Sequence, residues 1–107
     1  MRSVIAAAAI GLLCSATAAS ANCYETIGCS YSQKFREGDL RTLSCQALYE
    51  VRNMIYKENG YCFQTERAIA AFGNEGCTVT SQSQVRLNSF ERYNVALIKK
   101  VERRKGC

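Results

Sequence analysis

The sequence contains no histidine, no proline and no tryptophan, and none of its seven cysteines belongs to a Cys-x-x-Cys pair. Histidine is the commonest general base and a frequent metal ligand, so its absence removes the usual centre of acid–base catalysis. Structural zinc sites need closely spaced cysteines or histidines, and thiol oxidoreductases need Cys-x-x-Cys. The sequence therefore predicts no catalytic residues, no metal site, no cofactor and no enzymatic activity.

Residues 1–21 have the pattern of a cleaved secretory signal peptide. Arg2 supplies the positive charge, residues 4–13 form an apolar run, and residues 19–21 are the small residues that precede a cleavage site. The apolar run is shorter than the roughly 20 residues that span a bilayer, so we expect no stable membrane anchor. The pattern predicts an exported protein, either periplasmic or extracellular.

The net charge of the sequence is +5, and one unit of it comes from Arg2 in the predicted leader. A charge this mild suits contact with anionic polymers or lipids of the cell envelope and falls short of a nucleic-acid-binding composition. We therefore expect the partner to be an envelope component or another protein, and not a nucleic acid. The sequence leaves the oligomeric state open, and a monomer is favoured.

Hydrophobic periodicity predicts a mainly α-helical domain over residues 43–107, after an irregular arm at residues 22–42. Two longer helices pack antiparallel, with a short helix between them. The first long helix covers residues 45–59. Ser44 is suited to its N-cap, and Gly60 is suited to the left-handed position after its last turn.

The second long helix has the strongest start signal in the chain. Asn88 followed by Glu91 forms a capping box, and the helix continues to Lys105. Phe90 falls within its apolar stripe. The short helix that precedes it is expected to bury Ile69.

Cleavage of the predicted leader removes Cys14 and leaves six cysteines in a short chain. An even number of cysteines in an exported chain predicts disulfides, here three, which stabilise a small core. The first long helix is about 20 Å long, so Cys45 does not readily reach Cys62 across the ~5.5 Å that a bridge requires. Cys62 instead spans the short helix. The predicted pairs are Cys23–Cys29, Cys62–Cys77 and Cys45–Cys107.

Arg52 lies at the edge of the apolar face of the first long helix, where a guanidinium needs a carboxylate partner. Antiparallel packing brings Arg52 close to Glu102 of the second long helix. We therefore predict an Arg52–Glu102 ion pair that fixes the register of the two helices. The alternative is that Arg52 binds an anionic ligand.

Two groups of residues resemble a known family. In the first helix and the turn after it they are Arg52, Asn53, Ile55, Tyr56, Gly60, Tyr61 and Phe63. In the second long helix they are Leu87, Asn88, Phe90, Glu91, Asn94 and Glu102. Together they resemble the YARHG domain over residues 43–104, which implies a small module of an exported or envelope protein of bacteria. Lys57, Glu58 and Asn59 stand where that family has Ala, Arg and His.

Two functions are compatible with these features. In the first, the protein is a non-enzymatic binding or interaction module. Its candidate surface surrounds the end of the first long helix and consists of Tyr49, Tyr56, Lys57, Glu58, Asn59 and Tyr61. The opposing interpretation places these tyrosines in the core, where tyrosines at helical spacing commonly lie.

In the second function, a cationic surface-active or antimicrobial protein acts on anionic membranes through a basic stripe of the last helix. The stripe consists of Arg92, Lys99 and Arg103. The opposing interpretation is an ordinary solvated helix face.

Overall fold

The computed structural model describes residues 22–107, and the predicted signal peptide lies outside them. In chain order the elements are β1 (Cys23–Tyr24), β2 (Gly28–Cys29), α1 (Glu37–Arg41), α2 (Cys45–Glu58), α3 (Glu66–Phe72), a short 3-10 helix (Gln82–Gln84) and α4 (Ser89–Lys105). No helix within the described range is long and apolar enough to cross a membrane.

The two long helices, α2 and α4, pack against each other in antiparallel directions. A disulfide joins Cys45 at the start of α2 to Cys107 just after α4. At the other end, the Asn59 amide donates a hydrogen bond of 3.1 Å to the Glu91 carboxylate near the start of α4. The predicted fold class, a disulfide-linked and mainly α-helical domain, is confirmed.

The core lies between the facing stripes of these two helices. Its central side chains recur at the three- and four-residue spacing of a helix face. They are Leu48, Val51 and Ile55 of α2, and Val95, Ile98 and Val101 of α4. Each fully buried aliphatic side chain contributes about 1.5–3 kcal/mol relative to exposure, so this stripe supplies much of the driving force for folding.

Side-chain caps begin both long helices at the predicted residues. The Ser44 hydroxyl accepts a hydrogen bond of 3.1 Å from the Ala47 amide. Asn88 and Glu91 form the full capping box, with hydrogen bonds of 2.8 and 2.9 Å. After α2, Gly60 takes a φ of +87°, a left-handed conformation that glycine adopts without a Cβ penalty.

The arm before α2 contains more regular structure than the sequence predicts. β1 and β2 form a short antiparallel hairpin. Helix α1 follows over Glu37–Arg41 and buries Leu40 completely. This helix was missed because it is only five residues long, includes Gly38 and lacks a side-chain N-cap, so it produces no periodicity.

Asn94, buried in α4, anchors the arm. Its side-chain carbonyl accepts a hydrogen bond of 2.8 Å from the Phe35 amide. Its side-chain NH2 donates to the backbone carbonyls of Ser30 and Gln33 at 3.0 and 2.8 Å. The Phe35 side chain is buried beside it, so the arm is part of the hydrophobic core.

Two predicted burials are wrong. Ile69 is 42% exposed and Phe90 is 38% exposed. Helix α3 turns Ala68 inward in place of Ile69. In α4 the polar side chains of Glu91 and Asn94 occupy the inward stripe, because each has hydrogen-bond partners there. That rotation leaves Phe90 at the surface.

The disulfides of the structure are the three predicted pairs, Cys23–Cys29, Cys45–Cys107 and Cys62–Cys77. The second closes a loop with a sequence separation of 62. In the chain-entropy model a loop of that length stabilises the folded state by about 4 kcal/mol. The domain thus adds covalent constraints to a small core.

Asn94→Ala is expected to lower the free energy of unfolding by about 2–4 kcal/mol, because it leaves the buried Phe35 amide and the carbonyls of Ser30 and Gln33 without their partner. Urea denaturation of the oxidised protein, followed by circular dichroism, measures this loss. Gln84→Ala, at an exposed position, is the control and should change stability by less than about 0.5 kcal/mol. Equal effects of the two substitutions would contradict the anchoring role of Asn94.

Candidate functional site

A cleft of about 520 Å³ opens where the start of α2 meets the end of α4 and the first turn of α3. Positively charged side chains predominate in its lining. The lining residues are Cys45, Gln46, Tyr49, Arg52, Arg67, Lys99, Glu102, Arg103 and Cys107. We call this the cationic cleft.

One wall of the cationic cleft is the ion pair between Arg52 and Glu102. Arg52 Nε lies 2.8 Å from Glu102 Oε1, and Arg52 Nη2 lies 3.0 Å from Glu102 Oε2. This is a bidentate pairing, in which both carboxylate oxygens receive a charged donor. The side chains are 20% and 14% exposed. This geometry matches the predicted Arg52–Glu102 ion pair. Within the cleft, the positive charge of Arg52 and the negative charge of Glu102 cancel each other.

Arg67 is positioned across the cleft by its neighbours. Its guanidinium lies over the Tyr49 ring, 3.7 Å from the ring centroid, and Arg67 Nη2 donates a hydrogen bond of 2.7 Å to Gln46 Oε1. A guanidinium stacked on an aromatic face loses little entropy on forming further hydrogen bonds. Sequence reasoning missed Arg67, since a lone arginine on the polar side of a short helix carries no signal in the sequence.

Lys99 and Arg103 project from one side of α4, one helical turn apart, and both are exposed. Among residues 22–107, neither forms an ion pair with a carboxylate. Arg67 likewise has no acidic partner in that range. The cleft therefore carries three positive charges that the described side chains do not neutralise.

The other flank of α4 is arranged differently. Glu37 of α1 lies 3.4 Å from Lys100, 2.6 Å from Arg104 and 3.4 Å from Arg41. Burial raises the pKa of Glu37, but the attraction of these three cations outweighs it and leaves the pKa lowered overall. The Glu37 carboxylate thus pairs with three cations, two on α4 and one on α1. The cationic cleft has no side-chain carboxylate left to pair with its remaining cations.

The predicted tyrosine surface is wrong as a shared exposed patch. Tyr56 is buried, with 6% of its surface exposed. Tyr61 packs between Tyr56 and Phe63, at ring-centroid distances of 5.9 and 5.1 Å. Of the three tyrosines, only Tyr49 reaches the cationic cleft, and Arg67 covers one face of its ring. The rings of Tyr56 and Tyr61 are thus packed against neighbouring aromatic side chains and do not form a shared exposed surface with Tyr49.

The predicted basic stripe is divided by the structure. Lys99 and Arg103 line the cationic cleft. Arg92 lies two turns before Lys99, where its guanidinium donates a hydrogen bond of 2.6 Å to the Leu87 carbonyl. The stripe therefore contributes two residues to the cleft and one to the start of α4.

Comparison with known families shows to which family the chain belongs. The sequence pattern of the YARHG domain matches residues 12–103. The chain belongs to the YARHG family. The match begins well before residue 43, so it includes the arm that Asn94 anchors. No curated protein and no solved structure shows significant similarity to the chain.

In this YARHG domain two of the three residues that replace the family signature have structural roles. Lys57 donates a hydrogen bond of 2.7 Å to the carbonyl of Phe72 at the end of α3. Asn59 donates to the Ile55 carbonyl at 2.7 Å, in addition to its bond with Glu91. Glu58 is exposed. Of the three replacement residues in the predicted binding surface, only Glu58 therefore has no structural role of this kind and remains available to a partner.

The disulfides and the family membership together indicate that this YARHG domain is exported. Disulfides form and persist in oxidising compartments and are rare in the cytosol. All six cysteines among residues 22–107 are paired, so no free thiol remains in the part of the chain that the structure describes.

Arg52→Met is expected to destabilise the YARHG domain by about 2–3 kcal/mol, because it leaves the largely buried Glu102 carboxylate without its partner. In a double-mutant cycle with Glu102→Met, the double variant should lose less stability than the sum of the single losses. Arg104→Met is the control: its ion pair with Glu37 is exposed, so it should cost under about 1 kcal/mol. If Arg52→Met costs no more than this control, the pair does not fix the register.

Glu37→Gln is expected to destabilise the domain at pH 7, and the deficit should narrow as the pH falls. The pKa of Glu37 is lowered in the folded state. Its contribution is therefore complete above the ordinary glutamate pKa of about 4.3 and is lost as the pH falls from there through the lowered pKa of the folded state. Urea denaturation at pH 7 and at pH 3 measures the change. Glu25→Gln, an exposed site without an ion pair among the described residues, should show no comparable narrowing.

Proposed function

We propose that this exported protein is a non-enzymatic binding module that holds an acidic component of the cell envelope, or an acidic protein, in the cationic cleft. One observation carries the proposal. Arg67, Lys99 and Arg103 converge on the cleft without a carboxylate partner within residues 22–107. The compartment that follows from disulfides and export is the periplasm or the extracellular space.

The size and preorganisation of the cleft support ligand binding. A volume of about 520 Å³ falls within the range of small-ligand sites, which extends over roughly 300–1,000 Å³. Arg67 is already oriented by Tyr49 and Gln46. A donor that is fixed before binding pays a smaller entropic penalty when a ligand arrives.

The chemistry of the lining supports binding without catalysis. The one side-chain carboxylate among the lining residues, that of Glu102, is engaged by Arg52 through both of its oxygens. General acid–base catalysis uses a group that can exchange a proton near the working pH. The other charged side chains of the lining are arginines and a lysine, so the cleft is equipped to attract an anion and position it.

The alternative function, a cationic surface-active protein that acts on anionic membranes, receives less support. Such a protein needs a broad face of unpaired cations with apolar residues beside it. Glu37 pairs with Lys100 and Arg104 on one flank of α4, and Arg92 is bonded to the backbone at its start. Three of the cations without a carboxylate partner among the described residues line one concave site.

Binding to acidic polymers tests the proposal. Dextran sulfate and polygalacturonate are the probes, and neutral dextran is the negative control. The wild-type protein should bind the acidic polymers, and its affinity should fall as salt is added, because screening weakens exposed charge pairs.

Two triple variants with the same net charge separate a specific site from general attraction. Arg67→Gln/Lys99→Gln/Arg103→Gln removes the cations of the cleft. Arg41→Gln/Lys100→Gln/Arg104→Gln removes those of the Glu37 flank. The first should weaken binding more than about tenfold, which corresponds to 1.4 kcal/mol, and the second should change it by less than about threefold. Equal losses would favour the surface-active alternative. A wild type that binds none of the acidic probes, neither these polymers nor the smaller anions used below, would refute the proposed site.

A further inference from the structure

We infer that the group recognised by the cationic cleft is a phosphate monoester in its dianionic form. The inference rests on the proposed binding function and names the chemistry of its ligand. Three features of the cleft lead to it: the number of unneutralised charges, the directions from which the donors come, and the way in which this protein already binds a carboxylate.

The number of charges favours a dianion. With Arg52 and Glu102 cancelling each other, three cations remain in the cleft. A carboxylate or a sulfate monoester brings one negative charge and leaves most of this field unbalanced. A phosphate monoester carries about −1.5 to −2 charges at neutral pH and offers three strong acceptor oxygens.

The directions of the donors favour a tetrahedral group. Arg67 comes from α3, while Lys99 and Arg103 come from successive turns of α4. Residues four apart on a helix lie about 6 Å from each other at Cβ, so Lys99 and Arg103 can reach different oxygens of one group. Separate donors from two walls suit the three terminal oxygens of a phosphate.

The carboxylate already present in the cleft is bound in a different manner. A single guanidinium, that of Arg52, binds both oxygens of Glu102 in one plane. That is the arrangement a planar carboxylate prefers. Arg67 is not free to repeat it with all its donors, because its Nη2 is already bonded to Gln46. The remaining set of cations therefore suits a ligand other than a second carboxylate.

The lining offers little for recognising the rest of a ligand. Besides the charged groups, it presents Gln46, which is bonded to Arg67, the covered ring of Tyr49, and the Cys45–Cys107 disulfide. We therefore place the phosphate in the cleft and the remainder of its bearer outside, towards solvent. A free phosphate, a phosphorylated sugar and a phospholipid headgroup share this chemistry.

The composition of the chain allows a sharp test. Histidine is the side chain whose ordinary pKa lies between pH 5 and 8, and this sequence has none. The charged groups that face the cleft are Arg52, Arg67, Lys99, Glu102 and Arg103. None is a type of group that ordinarily titrates in that interval. A change in affinity there therefore reports the protonation of the ligand, whose second pKa is about 6.

Isothermal titration with a matched pair of sugars measures the preference. Glucose 6-phosphate and glucuronate share a sugar ring and differ in the acidic group. At pH 7.5 glucose 6-phosphate should bind at least about tenfold more tightly than glucuronate. Its affinity should fall about tenfold by pH 5, as the dianion becomes a monoanion. Glucuronate should show little change over the same interval.

Further arms identify the source of the phosphate. Inorganic phosphate tests the free ion, and phosphatidic acid vesicles, compared with phosphatidylcholine vesicles, test a lipid headgroup. Binding in any phosphate arm should be lost in Arg67→Gln/Lys99→Gln/Arg103→Gln and kept in Arg41→Gln/Lys100→Gln/Arg104→Gln. Thermal unfolding of both variants, followed by circular dichroism, verifies that each is folded.

The outcomes separate the two proposals. If glucuronate or polygalacturonate binds as tightly as glucose 6-phosphate, and pH has no effect between 7.5 and 5, the phosphate inference is overturned while the binding function stands. If no phosphate compound and no acidic polymer binds, both proposals fail.

Discussion

The ion pair between Arg52 and Glu102 links α2 to α4 between the two ends of their antiparallel contact. The Cys45–Cys107 disulfide links the helices at one end, and the hydrogen bond from Asn59 to Glu91 links them at the other. A slip of one helical turn, about 5.4 Å, would break all three contacts at once. The apolar stripes of the two helices alone would tolerate such a slip far better, because aliphatic contacts are not directional. The polar and covalent links therefore select one register.

That register determines how the charges of α4 are distributed. Consecutive residues of a helix point 100° apart, so Lys99 and Lys100 lie on different flanks once the buried stripe is fixed. Lys100 and Arg104 face α1 and pair with Glu37, whereas Lys99 and Arg103 face the cationic cleft. A chain of modest net charge thereby acquires a cleft that is lined by cations without an ion pair among the described residues. Its overall charge shows nothing of this separation.

Properties that depend on local rules or on simple distances could be predicted from the sequence. The caps at Ser44 and Asn88 follow from side-chain chemistry at a helix start, and the disulfide pairs follow from what the chain can span. Burial was less predictable. Phe90, expected in the apolar stripe, is exposed, and Tyr56, a candidate surface residue, is buried. A helical period indicates which residues share a face but not which neighbours cover that face. Helix α1 was missed because it is too short to produce a periodic pattern, and the contacts that hold it are with α4, far along the chain.

The sequence by itself determined the mainly helical class, the antiparallel pair of long helices, the three bridges and the ion pair that aligns them. These are consequences of periodicity, capping, chain length and the cost of leaving a charge unpaired, all of which act over short or countable distances. The tertiary structure alone decided the site. Arg67 and Arg103 are far apart in sequence and line the same cleft. The single aromatic residue of α3, Phe72, packs on Tyr49 of α2 and so holds α3 beside that cleft. Convergence of side chains from separate elements is set by that packing, and no local pattern in the chain records it.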